Sequence, residues 1–237
     1  KKQLVVKVPE TPLHKVVLPD FAKIRDVKEK KRQFFNYIKP AIERENNKLL
    51  TLREKVIVIK DKLLLEQAIN LDDETLLKQL NTKYKIKNNY GQLSQVDQLL
   101  ARIDVVPSSL ILVQAANESA WGTSRFARIG LNFFGIWCYK KGCGMVPNGR
   151  NDNATHEVQS FKSVDHAVQR YLHNINTNNA YIVFRTIRSQ LREQDQPLSP
   201  EILATGLLPY SERGAEYVLE ITKMIRHNQV YFDVPSE

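Results

Sequence analysis

The chain has 237 residues, of which 42% are hydrophobic and 26% charged, a balance typical of one or two globular domains that bury their own cores. Nine Gly and ten Pro exclude a collagen-like or low-complexity chain, and no apolar run approaches the roughly 18 residues of a membrane span. The net charge is +9, and residues 1–100 hold 21 Lys/Arg against 13 Asp/Glu. Such a surface suits an anionic partner, although a solvated Lys-rich helix face is the simpler explanation.

The residue pattern of the N-terminal part predicts an extended arm followed by helices. Residues 1–20 combine three prolines with many β-branched residues, which favours an extended arm. From Phe21 to about Lys62, apolar residues recur at steps of three, four or seven, as in an amphipathic helix, and we expect Pro40 to kink or divide it. Further helices are predicted at 63–69, 72–84 and 94–103. We therefore assign residues 21–100 to an N-terminal helical region.

The residue pattern of the second half of the chain predicts further helices and a small β-hairpin. Pro107 suits the first turn of an apolar helix that runs to Trp121, and Gly122 suits its end. Residues 155–161 alternate in polarity and predict a strand that pairs near 136–139. The other predicted helices cover 123–129, 163–176, 182–194, 200–207 and 211–226. The fold class is therefore mainly α (α+β), with residues 101–237 as the second domain.

Cys138 and Cys143 are the two cysteines of the chain. So close a pair can close a tight loop through a disulfide in an oxidising compartment, remain as free thiols, or contribute to a metal site. A zinc site needs more Cys or His, and no histidine stands at ligand spacing from the pair. The disulfide is favoured. The sequence also lacks a phosphate-binding glycine loop and a zinc-protease motif, so we expect neither cofactor nor metal.

Glu118 is the strongest catalytic candidate on physical grounds. It lies in the last turn of the predicted apolar helix, where the helix dipole disfavours a negative charge. Nearby aromatic residues, Trp121 among them, disfavour ionisation further through desolvation. Both effects would raise its pKa, as a glycosidase general acid requires. The alternative is an ordinary solvated helix glutamate.

Four segments, in order, resemble the peptidoglycan glucosaminidases of glycoside hydrolase family 73. Residues 115–126 (AANESAWGTSRF) resemble the catalytic-helix pattern of Glu-Ser-small-Trp-Gly. Residues 132–136, 161–167 and 209–217 resemble three later segments, with Ser211 where the family has Ala. The cysteine segment, residues 137–147, is similar to an envelope branch of that family. The resemblance covers about residues 101–230.

The resemblance implies a lysozyme-like helical fold with a groove for peptidoglycan. Glu118 would protonate the β-1,4 glycosidic oxygen after N-acetylglucosamine. Tyr210 matches a late tyrosine that could orient the N-acetyl group or a water, although a core tyrosine is equally compatible. The second carboxylate would be Glu157 or Asp152; otherwise the substrate's own N-acetyl group could act as the nucleophile.

Four further residues are candidates for substrate binding. Trp121 adjoins Glu118, and Trp137 could stack on a sugar ring from the groove. Phe134 could stack as well, but a core position is favoured. Asn132 could bind substrate or brace its loop, and bracing is favoured.

The leading hypothesis is an endo-β-N-acetylglucosaminidase that acts on peptidoglycan glycan strands in the periplasm or cell envelope. A lytic transglycosylase of the same fold is the nearest rival. A non-catalytic module that binds cell wall or nucleic acid is a third possibility, and the absence of a nucleic-acid-binding motif weighs against the latter. The chain starts without Met and without an apolar signal region, so the location follows from the substrate class. The oligomeric state and the role of the N-terminal helices stay open.

Overall fold

The computed structural model describes residues 11–87, 89, 91–147 and 156–232. These residues form a mainly α structure with a small antiparallel sheet, as the sequence predicted. The helices in this part of the chain are α1 Val27–Leu64, α2 Leu71–Lys83, α3 Gln92–Arg102, α4 Ser108–Glu118, α5 Arg125–Gly130, α6 Val164–Thr177, α7 Ile182–Glu193, α8 Pro200–Ala204 and α9 Ala215–His227. Short 3₁₀ turns follow α6, α8 and α9 at Asn179–Tyr181, Thr205–Tyr210 and Gln229–Tyr231. None of the described helices is long and apolar enough to cross a membrane.

The chain divides into two compact units, each assembled from two stretches. Unit 1 comprises residues 1–34 and 115–167, and unit 2 comprises residues 35–114 and 168–237. The boundaries fall inside α1, α4 and α6. Both units therefore combine residues from either side of position 100, where composition had suggested a domain boundary. Of the expected N-terminal arm, residues 1–10 lie outside the described part of the chain.

Helix α1 continues through Pro40 for 38 residues, so Pro40 does not divide the helix, and the alternative, a kink at this position, stays a prediction. An interior proline removes one helical hydrogen bond and costs about 3 kcal/mol. Its neighbours Ile38, Ala41 and Ile42 are fully buried. Each large apolar side chain gains roughly 1.5–3 kcal/mol from burial, so packing outweighs the cost of the proline.

The predicted helix at 63–69 is wrong, because α1 ends at Leu64 in a left-handed turn. Glu66 has a φ of 54°, and the Gln67 N–H donates to the carbonyl of Lys62 over 2.9 Å. This backward bond satisfies a carbonyl that the helix end leaves unpaired. Helix α2 then starts from Asn70, whose side chain accepts from the N–H of Asp73.

The apolar faces of α1, α2 and α3 form one core cluster in unit 2. Its buried members are Val56, Ile59, Leu77, Leu80, Tyr84, Ile86, Val96, Leu99 and Ile103. Within each helix the buried members stand three residues apart, on one face, while Tyr84, Ile86 and Ile103 follow the ends of α2 and α3. The cluster therefore fixes the three helices against one another.

The sheet of unit 1 has the order β1-β3-β2, with β1 at Trp137–Cys138, β2 at Gly144–Met145 and β3 at Glu157–Gln159. Both outer strands pair antiparallel with β3. The predicted pairing of the 155–161 strand with 136–139 is confirmed, although residue 155 lies outside the described residues. A Cβ at Gly144 would overlap the carbonyl oxygen of Val158, so glycine is required where β2 approaches β3.

Candidate active site

Helix α4 ends at Glu118, three residues before the predicted end, in an unusual left-handed turn. Ala120, Trp121 and Gly122 have φ values of 49°, 58° and 77°. The left-handed region costs a non-glycine residue roughly 1–2 kcal/mol, and two consecutive residues bear that cost here. Backbone strain of this kind persists only where surrounding contacts fix it. The turn therefore follows the carboxylate-bearing residue directly and holds it at the helix end.

Ser119 is the residue that closes this turn. Its buried hydroxyl donates to the carbonyl of Ala115 over 2.6 Å and accepts from the N–H of Gly122 over 2.9 Å. The Trp121 N–H donates to the carbonyl of Ala116 over 2.8 Å. Sequence reasoning did not single out Ser119. The sequence feature that could have indicated this role is a serine two residues before Trp121-Gly122. From that position a hydroxyl can reach nearby backbone groups.

Aromatic rings from the N-terminal stretch pack against the turn. A Cβ at Gly122 would lie 2.5 Å from the Phe21 ring and 3.3 Å from the Phe34 ring. Trp121 packs edge-on against Phe34, with ring centroids 5.8 Å apart, and the Lys31 ammonium lies 5.3 Å from the Trp121 ring centre. These contacts supply the support that the strained turn requires. A contact between Trp121 and substrate stays a prediction.

The carboxylate of half-buried Glu118 lies against Gly135. A Cβ built on Gly135 would stand 3.5 Å from Oε2 of Glu118. Gly135 is exposed and has a φ of 65°, so both its backbone conformation and its neighbour favour glycine. Any side chain at this position would start in van der Waals contact with the carboxylate.

Asn132 organises the loop that carries Gly135. Its amide nitrogen donates to the carbonyls of Ile136 and Gln159, each over 2.8 Å, and its oxygen accepts from the N–H groups of Phe134 and Ile136. The side chain is 1% exposed. These are the contacts of a bracing residue; a direct contact with substrate stays a prediction.

Glu157 is bound to the backbone of the disulfide loop. Cys138 and Cys143 form a disulfide. The two carboxylate oxygens of Glu157 accept from the N–H groups of Gly142 and Gly144, each over 2.9 Å, and the residue is 4% exposed. Both sulfurs lie within 4.8 Å of this carboxylate, but a disulfide does not offer the thiolates that metals bind. The catalytic role of Glu157 stays a prediction, and Asp152 lies outside the described residues.

Trp137 and Phe134 differ in exposure. Trp137 is 44% exposed and meets His156 edge-on, with ring centroids 4.7 Å apart. Phe134 is 2% exposed, which agrees with the core position favoured from the sequence. Of the two rings, Trp137 therefore has the face that a sugar could contact.

Tyr210 belongs to a cluster of four tyrosines in unit 2. It stacks on Tyr217 with centroids 5.4 Å apart and planes at 7°, and it lies 6.4 Å from Tyr171 and 6.1 Å from Tyr181. Buried Gln114 accepts from the Tyr171 hydroxyl over 2.5 Å and donates to the Tyr217 hydroxyl over 3.0 Å. Gln114 therefore fixes two of the rings around Tyr210, a role that sequence reasoning missed.

Comparison with known proteins identifies relatives over most of the chain. Residues 93–230 match the Glucosaminidase family, described as mannosyl-glycoprotein endo-beta-N-acetylglucosaminidase. The chain is also 32% identical, over 217 residues, to Protein bax of Escherichia coli (strain K12), a match that covers 90% of this chain and 74% of that protein. No solved structure matches significantly. The family match includes every residue predicted for the site.

Proposed function

Because the chain belongs to the glucosaminidase family, we propose that it hydrolyses the β-1,4 bond after N-acetylglucosamine in peptidoglycan, with Glu118 as general acid. The observation that carries this proposal is the position of Glu118 at the end of α4, with Oε2 beside Gly135. The negative end of the helix dipole favours a protonated carboxyl group. A protonated carboxyl can donate to the leaving glycosidic oxygen as the bond breaks.

The second catalytic group in this proposal is the N-acetyl group of the substrate. Both oxygens of Glu157 accept backbone N–H groups, and breaking those bonds in a buried position would cost roughly 1–3 kcal/mol each. This favours attack by the substrate's own carbonyl oxygen on the anomeric carbon, one of the known exceptions to paired-carboxylate catalysis. Water would complete hydrolysis, and the role of Tyr210 stays a prediction of the sequence. Such a substrate implies a location in the cell envelope.

The experiment is mass spectrometry of the fragments released from purified peptidoglycan. We expect wild-type protein to release fragments with N-acetylglucosamine reducing ends. Glu118→Gln keeps the shape of the side chain but removes the acid, and we expect a loss of about 100-fold or more. Glu54→Gln, at an exposed position in α1, is the matched control and should retain wild-type activity.

Three outcomes would contradict parts of this proposal. Release of anhydro-muramic ends would assign the chain to the lytic transglycosylases. Equal activity of Glu118→Gln and Glu54→Gln would remove Glu118 from the chemistry. No products from folded wild-type protein on a range of peptidoglycans would instead support a wall-binding module.

A further inference from the structure

Unit 2 contains a cavity of about 780 Å³ in which basic side chains outnumber acidic ones. It lies among α1, α3 and α7, and no residue predicted for glycoside hydrolysis lines it. The charged lining residues are Arg53, Lys60, Arg102, Arg185 and Arg192, with Asp97 and Glu193 as the acidic ones.

Three of the five basic side chains have carboxylate partners. Lys60 pairs with Asp97 over 2.8 Å. Arg192 donates two hydrogen bonds to buried Asp104, and Arg53 lies 3.7 Å from the same carboxylate. The charges of these three residues are therefore at least partly neutralised within unit 2.

Arg102 and Arg185 differ, since neither forms an ion pair with any described residue. In each, Nη1 donates to two backbone carbonyls, those of residues 84 and 85 for Arg102 and of residues 175 and 178 for Arg185. Their Nε and Nη2 groups have no acceptor in the described part of the chain. A guanidinium carries five N–H donors in a planar fork, so each retains unused donors.

Both guanidiniums line the cavity. Arg185 is 5% exposed and Arg102 is half-buried, and neither contributes a nitrogen to the fully buried, unpartnered side-chain atoms of the described residues. The two guanidiniums also repel each other: burial chiefly, and then the charge of Arg102, lowers the pKa of Arg185 to about 10. An anion beside both would relieve this repulsion.

We propose that this cavity binds a compact oxyanion, a phosphate or carboxylate group, held by the free guanidinium edges of Arg102 and Arg185. Planar guanidinium forks match both anions in geometry, and charge-assisted bonds of this kind are about twice as strong as neutral ones. Thr186 and Ser189 of α7 also line the cavity and bring hydroxyl donors. This site does not depend on the proposed hydrolase function.

The first test is calorimetric titration of the full chain with inorganic phosphate and, separately, with succinate. Sodium chloride at equal ionic strength is the reference, because general screening affects all salts alike. We expect saturable binding of at least one oxyanion and none of chloride. Binding of phosphate alone assigns a phosphate-bearing ligand, and binding of succinate alone assigns a carboxylate. If neither anion binds above the chloride reference, the proposal is overturned.

The second test places a negative charge in the cavity. Thr186 is exposed, so Thr186→Glu should fold, while its carboxylate competes for the two guanidiniums. We expect it to weaken oxyanion binding by about tenfold or more, a difference that ordinary titration resolves. Thr186→Gln has the same size without the charge, so we expect it to bind the oxyanion more tightly than Thr186→Glu. Equal affinities of the two variants would overturn the proposal.

Discussion

Gly135 leaves the space beside the Oε2 atom of Glu118 open, because it has no side chain. At its φ of 65°, an alanine costs about 1–2 kcal/mol of stability. Its Cβ would also lie 3.5 Å from the carboxylate. We expect Gly135→Ala to lower the melting temperature by a few degrees. We also expect it to lower peptidoglycan cleavage by about tenfold, because the added methyl group would occupy space beside the carboxylate and disturb the position of a bound sugar.

Gly142→Ala is the matched control for this substitution. Gly142 has a φ of 80°, and a Cβ there would meet nothing within 4 Å. Both variants should lose similar stability in thermal unfolding, but only Gly135→Ala should lose activity beyond that loss. The same fall in activity for both would show that backbone strain alone is responsible.

At this scale, sequence predicts features that depend on near neighbours. The position of Glu118 at a helix end follows from an apolar run and a nearby glycine, within a few residues. The bonds of Glu157 to Gly142 and Gly144 span 15 and 13 residues, and those of Gln114 to the tyrosines span 57 and 103. No local pattern encodes such contacts, so the bracing role of Glu157 became visible only in the fold.

At the scale of elements, the disulfide loop between β1 and β2 combines two restraints. The bond joins cysteines five positions apart, and Glu157 holds the N–H groups of the same loop. Closing so short a loop lowers the conformational entropy of the unfolded chain, which raises the free energy of unfolding by about 2 kcal/mol in the chain-entropy account. We expect the double variant Cys138→Ser, Cys143→Ser to lose about that much stability in urea unfolding.

Reduction provides the control for the double variant. A reducing agent should destabilise wild-type protein by a similar amount and leave the double variant unchanged. If reduction leaves the wild-type midpoint unchanged, the bond does not stabilise the protein.

Element prediction succeeded where one local signal dominated. Alternation over residues 155–161 predicted a strand and its partner, and Ser163 was expected to begin a helix, as it does by accepting from the N–H of His166. Of the two outcomes expected at Pro40, division of the helix does not occur, and the helix predicted at residues 63–69 is wrong. In the first case, burial of neighbouring side chains outweighs an intrinsic preference, and in the second, a left-handed turn at Glu66 ends the helix without a glycine.

At the scale of the whole molecule, helical periodicity predicted the fold class, whereas the grouping of residues into compact units depends on contacts that composition does not encode. The basic first hundred residues suggested a separate region, whereas contacts group residues 35–114 with 168–237. The contacts of Asp104 show why these two stretches belong to one unit. Its carbonyl and carboxylate bind Arg188 and Arg192, more than 80 residues away in the sequence. These bonds link distant stretches of the chain into one unit. The sequence does not predict them, because an aspartate or an arginine does not indicate which distant residue it pairs with.

Asp104 also makes stability depend on pH. Burial raises its pKa, but the hydrogen bonds from Arg192 and the charges of Arg188 and Arg53 outweigh burial and hold the pKa below its ordinary value. A carboxyl whose pKa is lower in the folded than in the unfolded chain contributes stability above the unfolded value, about 3.9, and loses it as pH falls through the folded value. We therefore expect the free energy of unfolding to decline below about pH 4.

Asp104→Asn tests this dependence. The substitution leaves buried Arg188 without its carboxylate partner and should cost about 3–5 kcal/mol at neutral pH. It should also remove the Asp104 contribution to the acid decline, so urea unfolding at several pH values would show a flatter profile. Asp97→Asn removes a carboxylate that pairs with Lys60 near the surface, and its cost should stay within about 1 kcal/mol. An acid profile of Asp104→Asn parallel to wild type would mean that other carboxylates determine the acid stability of the molecule.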